Sequence, residues 1–223
     1  MSSPTTNSPL RIAVLLFPGF QALDAFGPID ALNVLSRMHP LTFSILSHNL
    51  DPVSTKPPQP ALAHSIGQSV LPTHTFSTAP EIDVLLVPGG HGTRCTESES
   101  IRAAVEYIRD VYPRLKYLVS VCTGSALVAR SGVLDGRRAT TNKMVFNEAK
   151  GWRGEVEWVA KARWVVDGNI WTSSGVSAGI DVILAWMGEV YGEETAKSVA
   201  EQIEYSRHED ADEDPFADLY GLV

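Results

Sequence analysis

Leu118-Val119-Ser120-Val121-Cys122-Thr123-Gly124-Ser125-Ala126 is the stretch that decides the reading of this 223-residue chain. Tyr117 to Val121 is a short, continuous apolar run of the kind buried on both faces of a sheet. It runs straight into a cysteine and a helical stretch that reaches about Arg130, with no room for a loop between them. That layout is a nucleophile elbow: a tight strand-to-helix turn thrusts one side chain outward, and small neighbours such as Ser120 and Gly124 let the two elements approach. Sulfur at a helix N-terminus is expected to favour its thiolate, because unpaired N–H groups and the helix dipole stabilise negative charge there. Many free cysteines are only small buried hydrophobes. The end of a core strand is where a nucleophile belongs, and Cys122 is read as one.

Two similar strands lie upstream. Arg11 to Phe17 is closed by Pro18-Gly19, and Ile82 to Val87 ends in Pro88-Gly89-Gly90. Leu41 to Leu46 reads as a further strand. Asp51 to Pro80, rich in Pro, Ser, Thr and His, reads as an irregular excursion with one short hairpin. Helices are expected over Ile29–Leu35, with Pro28 in the first turn, and over Glu99–Tyr112, where Ile101, Ala104, Val105 and Ile108 share one face. A short helix near Lys143–Ala149 follows. Then come strands at Arg163–Val166 and Ile170–Thr172 joined by Asp167-Gly168, and helices over Ser177–Tyr191 and Glu194–Tyr205. Strands alternating with helices predict an α/β fold, an open and mostly parallel sheet with helices on both faces. Ligands of such sheets sit outside the carboxyl ends of the strands.

Composition narrows the function. Hydrophobic residues make up 44% and charged residues 20%, a globular balance. With 18 basic against 26 acidic residues the net charge is −8, which argues against a nucleic-acid partner, since phosphate binding needs a concentrated basic face. No apolar stretch approaches the ~18 residues of a membrane span. Two cysteines, Cys95 and Cys122, make no disulfide framework, and a reducing, cytoplasmic address is expected. Residues 1–9 read as a disordered leader and 10–206 as one domain. Residues 207–223 form an acidic tail, with five acids and no Lys or Arg between His208 and Asp214, expected to be solvated.

Around the sulfur, Asp24 follows the first strand and reads either as a helix-capping carboxylate or as a carboxyl group whose pKa burial raises, so that it can donate a proton. Pro88-Gly89-Gly90 offers backbone N–H groups that, with the N–H of Thr123, would bind a developing negative charge. Of six histidines only His208 follows Cys122, so a downstream Cys-His triad is poorly supported. His91 stands at another strand end and reads either as a residue that approaches the site or as a hydrogen-bonding surface residue. Phe26, Trp152, Trp158 and Trp171 are read as pocket-lining, or as core and dimer-interface residues. Cys95 is an ordinary thiol or a resolving cysteine, and Asp181 a cap or scaffold acceptor.

Several ordered segments together resemble the ThiJ/PfpI superfamily, and within it the isocyanide (isonitrile) hydratases. They are Leu15-Leu16-Phe17-Pro18 with Leu23-Asp24 and Gly27-Pro28, then Val87-Pro88-Gly89-Gly90, Ser120-Val121-Cys122-Thr123-Gly124-Ser125, Gly136-Arg137-Arg138-Ala139-Thr140-Thr141 and Gly175-Val176-Ser177-Ala178-Gly179-Ile180-Asp181. The resemblance implies a flavodoxin-like fold, a homodimer, a small-molecule substrate and no metal or organic cofactor. It implies Cys122 as nucleophile, Asp24 as its carboxyl partner, Thr123 as a neighbour giving a backbone N–H and a hydroxyl, and Gly90 as the other backbone donor. Asn142 stands where similar sequences often carry His after the Thr-Thr pair. The implied reaction is addition of water to an isocyanide through a cysteine thioimidate. A cofactor-independent glyoxalase or deglycase and a non-enzymatic cysteine redox sensor are the alternatives. An AraC-type regulator would need a DNA-binding domain, for which about twenty mostly acidic residues after Glu204 are too few.

Overall fold

Burial on both faces is what continuous apolar strands require, and the three read from the sequence become neighbours at the centre of one sheet. The structure, a computed structural model, describes residues 10–62 and 64–222; the expected leader, 1–9, lies outside the described residues. The strands are β1 (Leu10–Leu15), β2 (Leu41–Ser47), β3 (Val53–Ser54), β4 (Ser69–Val70), β5 (His74–Thr75), β6 (Val84–Val87), β7 (Tyr117–Val121), β8 (Arg138–Ala139), β9 (Glu157–Trp158), β10 (Trp164–Asp167) and β11 (Ile170–Ser173). The α-helices are α1 (Ala22–Leu35), α2 (Glu99–Val111), α3 (Gly124–Arg130), α4 (Phe146–Ala149), α5 (Ala178–Tyr191), α6 (Glu193–Gln202) and α7 (Pro215–Leu219).

The main sheet runs β10-β11-β7-β6-β1-β2-β5. Only β10 is antiparallel to its neighbour, as the Asp167-Gly168 turn demands. Helices α1, α5 and α6 pack together, with α5 against β7 and β11, while α2 and α3 form a second group with α3 against β6 and β7. Leu15, Leu85, Leu118 and Val119 are wholly buried between these layers. This is the mostly parallel flavodoxin-like α/β architecture expected. The strand order reverses between β1 and β6, the topological switch point at which ligand sites form in such sheets. Register sets what meets there: Val87 pairs with Ser120, and Ser173 with Val121. The turns after β6, β7 and β11 are therefore side by side.

One expectation is corrected and another qualified. The first helix does not start at Pro28: α1 begins at Ala22 and carries Pro28 inside it. Packing overrides the proline rule here. Gly27 and Pro28 are buried, and a Cβ on Gly27 would stand 2.8 Å from the Ile180 side chain of α5. The acidic segment is largely exposed, as expected, but it is anchored to the domain and not free. The His208 N–H donates to Asp181 Oδ1 at 3.0 Å, the Arg163 N–H donates to the Ala211 carbonyl at 2.6 Å, and Asp214 is buried with Lys143 Nζ 3.7 Å away. Of its five acids, Asp214 alone is buried against a cation, Lys143, whose distance in sequence hides the pairing from a local charge run; Glu209, Asp210, Asp212 and Glu213 stay exposed.

Candidate active site

Cys122 takes a left-handed backbone, φ +58°, as the elbow requires. Its neighbours hold that strain. The Cys122 N–H donates to the Ser174 carbonyl at 2.9 Å, and the Cys122 carbonyl accepts from the hydroxyls of Thr141 and Ser125, each at 2.9 Å. Gly124 starts α3 against the end of β6, where a Cβ would lie 2.2 Å from the Val87 carbonyl oxygen. The small residue two positions past the cysteine is thus a condition of the turn.

Asp24 lies in the first turn of α1 and not at its cap, which is Gln21. The carboxyl is 0% exposed. Its Oδ2 accepts the Gly89 N–H at 3.0 Å, while Oδ1 has no hydrogen-bond partner among the described residues. Burial pushes the Asp24 carboxyl up to about 7, against the opposing pull of the Gly89 N–H and the Cys122 thiol. Cys122 is 6% exposed. Burial first, and the facing Asp24 carboxylate second, push its thiol up to about 12. The N–H groups of Thr123 and Val176 and the Asn142 side chain oppose that rise. The expected helix-stabilised thiolate is therefore not the resting state, because desolvation and a neighbouring negative charge outweigh the helix terminus. Both shifts run upward, so the carboxyl gives up its proton before the thiol, its charge then tightens the thiol's hold, and the pair titrates as a unit.

The other expected site residues are placed as follows. Thr123 is buried beside the sulfur, and its Oγ1 accepts the Gly90 N–H at 2.9 Å. Gly90 is therefore not a free donor for a developing charge; it fastens the β6 turn to the elbow. His91 is exposed, and its carbonyl accepts from the Gln59 amide at 2.7 Å. Phe26 faces a separate hollow with Leu23, Ile180 and Ile203. Trp152 and Trp158 pack edge to face at 5.8 Å, and Trp171 is buried in the core. Cys95 is a half-buried free thiol near the Gln59 amide. Asp181 accepts two bonds from Arg163, at 2.9 and 2.7 Å, a scaffold acceptor.

A hollow of about 190 Å³ adjoins the sulfur's partners, walled by Asn142, Ser174, Val176, Ser177, Phe216 and Tyr220. A larger one, about 500 Å³, lies at the amino ends of β1 and β6 beside Arg11, Tyr107 and Arg114 and contains none of these groups. Among the described residues no group of three or more His, Cys, Asp or Glu is placed to hold a metal ion, and no helix is long and apolar enough to cross a membrane.

The DJ-1/PfpI family model matches residues 10–189, which contain the elbow, Asp24 and the turns that surround them. The chain belongs to the DJ-1/PfpI family. This DJ-1/PfpI chain is 36% identical over 198 residues to an isonitrile hydratase of Pseudomonas putida, covering 88% of the chain and 79% of that enzyme. It is also 36% identical to a deglycase of Pyrococcus horikoshii, over 110 residues, 49% of the chain and 60% of the deglycase. A ThiJ/PfpI family protein from Pseudomonas syringae superposes with a TM-score of 0.72 at 29% identity, covering 90% of this chain and 77% of that one. Within this DJ-1/PfpI chain, sequence reasoning missed Val176, whose non-glycine φ of +46° turns its N–H toward the sulfur. It noted Asn142 only as a departure from His. A Cβ on Gly175 would stand 2.5 Å from Asn142 Nδ2, so Gly175 makes the space that lets this amide face the sulfur.

Proposed function

We propose that this DJ-1/PfpI protein is an enzyme that hydrates isocyanides to N-formamides, with Cys122 as nucleophile and Asp24 as proton carrier. The observation that carries the reading is a wholly buried Asp24 carboxyl, its Oδ1 without a hydrogen-bond partner among the described residues, set against the buried Cys122 thiol at the elbow, with burial pushing both groups toward keeping their protons. An isocyanide's terminal carbon accepts both a nucleophile and a proton. The thiol proton passes to Asp24, the sulfur electron pair forms the S–C bond, and Asp24 delivers the proton to that same carbon, giving the thioimidate R–N=CH–S–Cys122. Asp24 then takes a proton from water as its oxygen adds to the carbon and passes that proton to the nitrogen, giving R–NH–CH(OH)–S–Cys122 and restoring the carboxylate. Collapse breaks the C–S bond, the hydroxyl proton returns to sulfur through Asp24, and R–NH–CHO leaves. The Thr123 and Val176 N–H groups and the Asn142 amide support the negative charge on sulfur while it is free.

An uncharged substrate needs no Lys or Arg clamp, and a small hollow with a few directed donors suffices. The raised thiol argues against the redox sensor, because peroxide-sensitive cysteines are low-pKa thiolates. The match to a deglycase favours a second reading, action on small aldehydes. We extend the proposal to a homodimer joined through the face where Leu23 and Phe26 stay exposed, and to a cytoplasmic setting for the two free thiols. Incubation with an alkyl isocyanide and, separately, with methylglyoxal tests the chemistry. Formamide from the first is the expected product. Lactate from the second, with no formamide from the first, would replace the hydratase reading with the aldehyde one.

A further inference from the structure

Two of the residues that wall the hollow come from outside the family segment. The family match ends at residue 189, whereas Phe216 lies in α7 and Tyr220 at its C-terminal end. This segment is fixed to the domain at three successive points. His208 is held by Asp181, itself bonded to Arg163, and Ala211 is held by the Arg163 N–H. Asp214 caps α7 by accepting the Phe216 N–H at 3.0 Å and sits buried against Lys143. Lys143 in turn donates to Thr140 Oγ1 at 2.6 Å and to the Thr141 carbonyl at 3.3 Å, and the Thr141 hydroxyl holds the Cys122 carbonyl. A continuous chain of contacts thus runs from the acidic segment to the elbow. With Ala217 wholly buried, α7 is anchored by its inner face, yet Phe216 remains 44% and Tyr220 41% exposed at the rim of the hollow. Two large apolar side chains left open on a well-anchored segment, above a small cavity that leads to the nucleophile's partners, are placed to meet a ligand.

We infer that the C-terminal segment selects the substrate: Phe216 and Tyr220 form an apolar wall of the hollow that reaches Asn142 and Val176, the partners of the Cys122 thiol, and limit the size of the isocyanide's N-substituent. The inference rests on the hydratase reading for its choice of substrate, though not for the existence of the wall. The compact hollow favours small, uncharged, apolar substituents, because a fixed wall excludes bulk while apolar contact rewards each buried methylene.

The test compares kcat/KM for methyl and cyclohexyl isocyanide. Phe216→Ala should raise the cyclohexyl-to-methyl ratio about tenfold or more, and Phe216→Trp should lower it by a similar factor. Ratios within about twofold of the parent in both variants would overturn the proposal. Alkylation of Cys122 by iodoacetamide and by N-phenylmaleimide, read by peptide mass spectrometry so that Cys95 is counted separately, tests the wall without turnover. Phe216→Ala should speed the aryl reagent selectively. If the parent protein hydrates neither isocyanide, the hydratase reading fails, and this alkylation ratio alone decides the wall: a selective gain upholds it and an unchanged ratio rejects it.

Discussion

Asp24→Asn is expected to lower kcat/KM for an isocyanide by ~10²–10⁴-fold while making the fold more stable above pH 7. The two effects have one origin. Asparagine keeps the shape and can still accept the Gly89 N–H, but it cannot shuttle a proton between sulfur and carbon, so the addition step loses its acid and its base. The stability sign follows from the raised carboxyl. Its folded-state value of about 7 stands above its ordinary 3.8, so the native state binds the proton more tightly than the unfolded chain. Stability tied to Asp24 is therefore fully present below 3.8 and is lost progressively as pH climbs toward 7. Above that the ionised, desolvated carboxylate costs the fold on the order of 4 kcal/mol. Asparagine pays none of this. Urea unfolding of both proteins at pH 4 and pH 8 measures it: near-equal midpoints in acid and a higher midpoint for the variant at pH 8. A variant less stable than the parent at pH 8 would show that the carboxylate is comfortably solvated or paired.

Gly124→Ala is expected to destabilise the protein by more than about 3 kcal/mol, and soluble expression should fall with it. The added methyl group would stand 2.2 Å from the Val87 carbonyl oxygen and 2.9 Å from the Pro88 carbonyl carbon. Both are backbone atoms of the β6 end, which cannot swing aside as a side chain does. β6 itself pairs with β1 and β7 in the middle of the sheet, so the clash has nowhere to relax. Where enough variant folds, Cys122 alkylation should change as well, because the elbow must shift to make room. A chemical-denaturation midpoint equal to the parent's would mean that α3 does not press on β6 as described.

The parts of this protein that could be read in advance are those with local causes. Val84–Val87 and Tyr117–Val121 are apolar throughout because both faces are covered, so their strands and the turns beyond them announce themselves. Cys122 was legible for the same reason: a polar, reactive atom at the end of such a strand has few structural excuses. Asp24 was legible as a candidate, but its setting was not. Pro28 looks like a helix start, and only the packing of Gly27 against Ile180 extends the helix back to Ala22. The state of the thiol was misjudged because a helix terminus is a local feature, whereas the burial and the Asp24 charge that oppose it arise from chain segments 98 residues apart in number, joined only in the fold. Gly90 reads as a free donor until Thr123, placed by a different strand, takes its N–H. The anchoring of the acidic segment was hidden for a like reason, since Lys143, which neutralises Asp214, is remote in sequence.

The carboxyl–thiol pair is tested most directly by the pH dependence of kcat/KM for an alkyl isocyanide, a substrate that does not itself titrate. The parent protein should show activity rising with unit slope through about pH 7, as the pair loses the first of its two protons, and then a plateau across the mildly alkaline range. The residual activity of Asp24→Asn should lack that limb. A parent profile flat from acid to base, or a limb that survives intact in Asp24→Asn, would contradict the account.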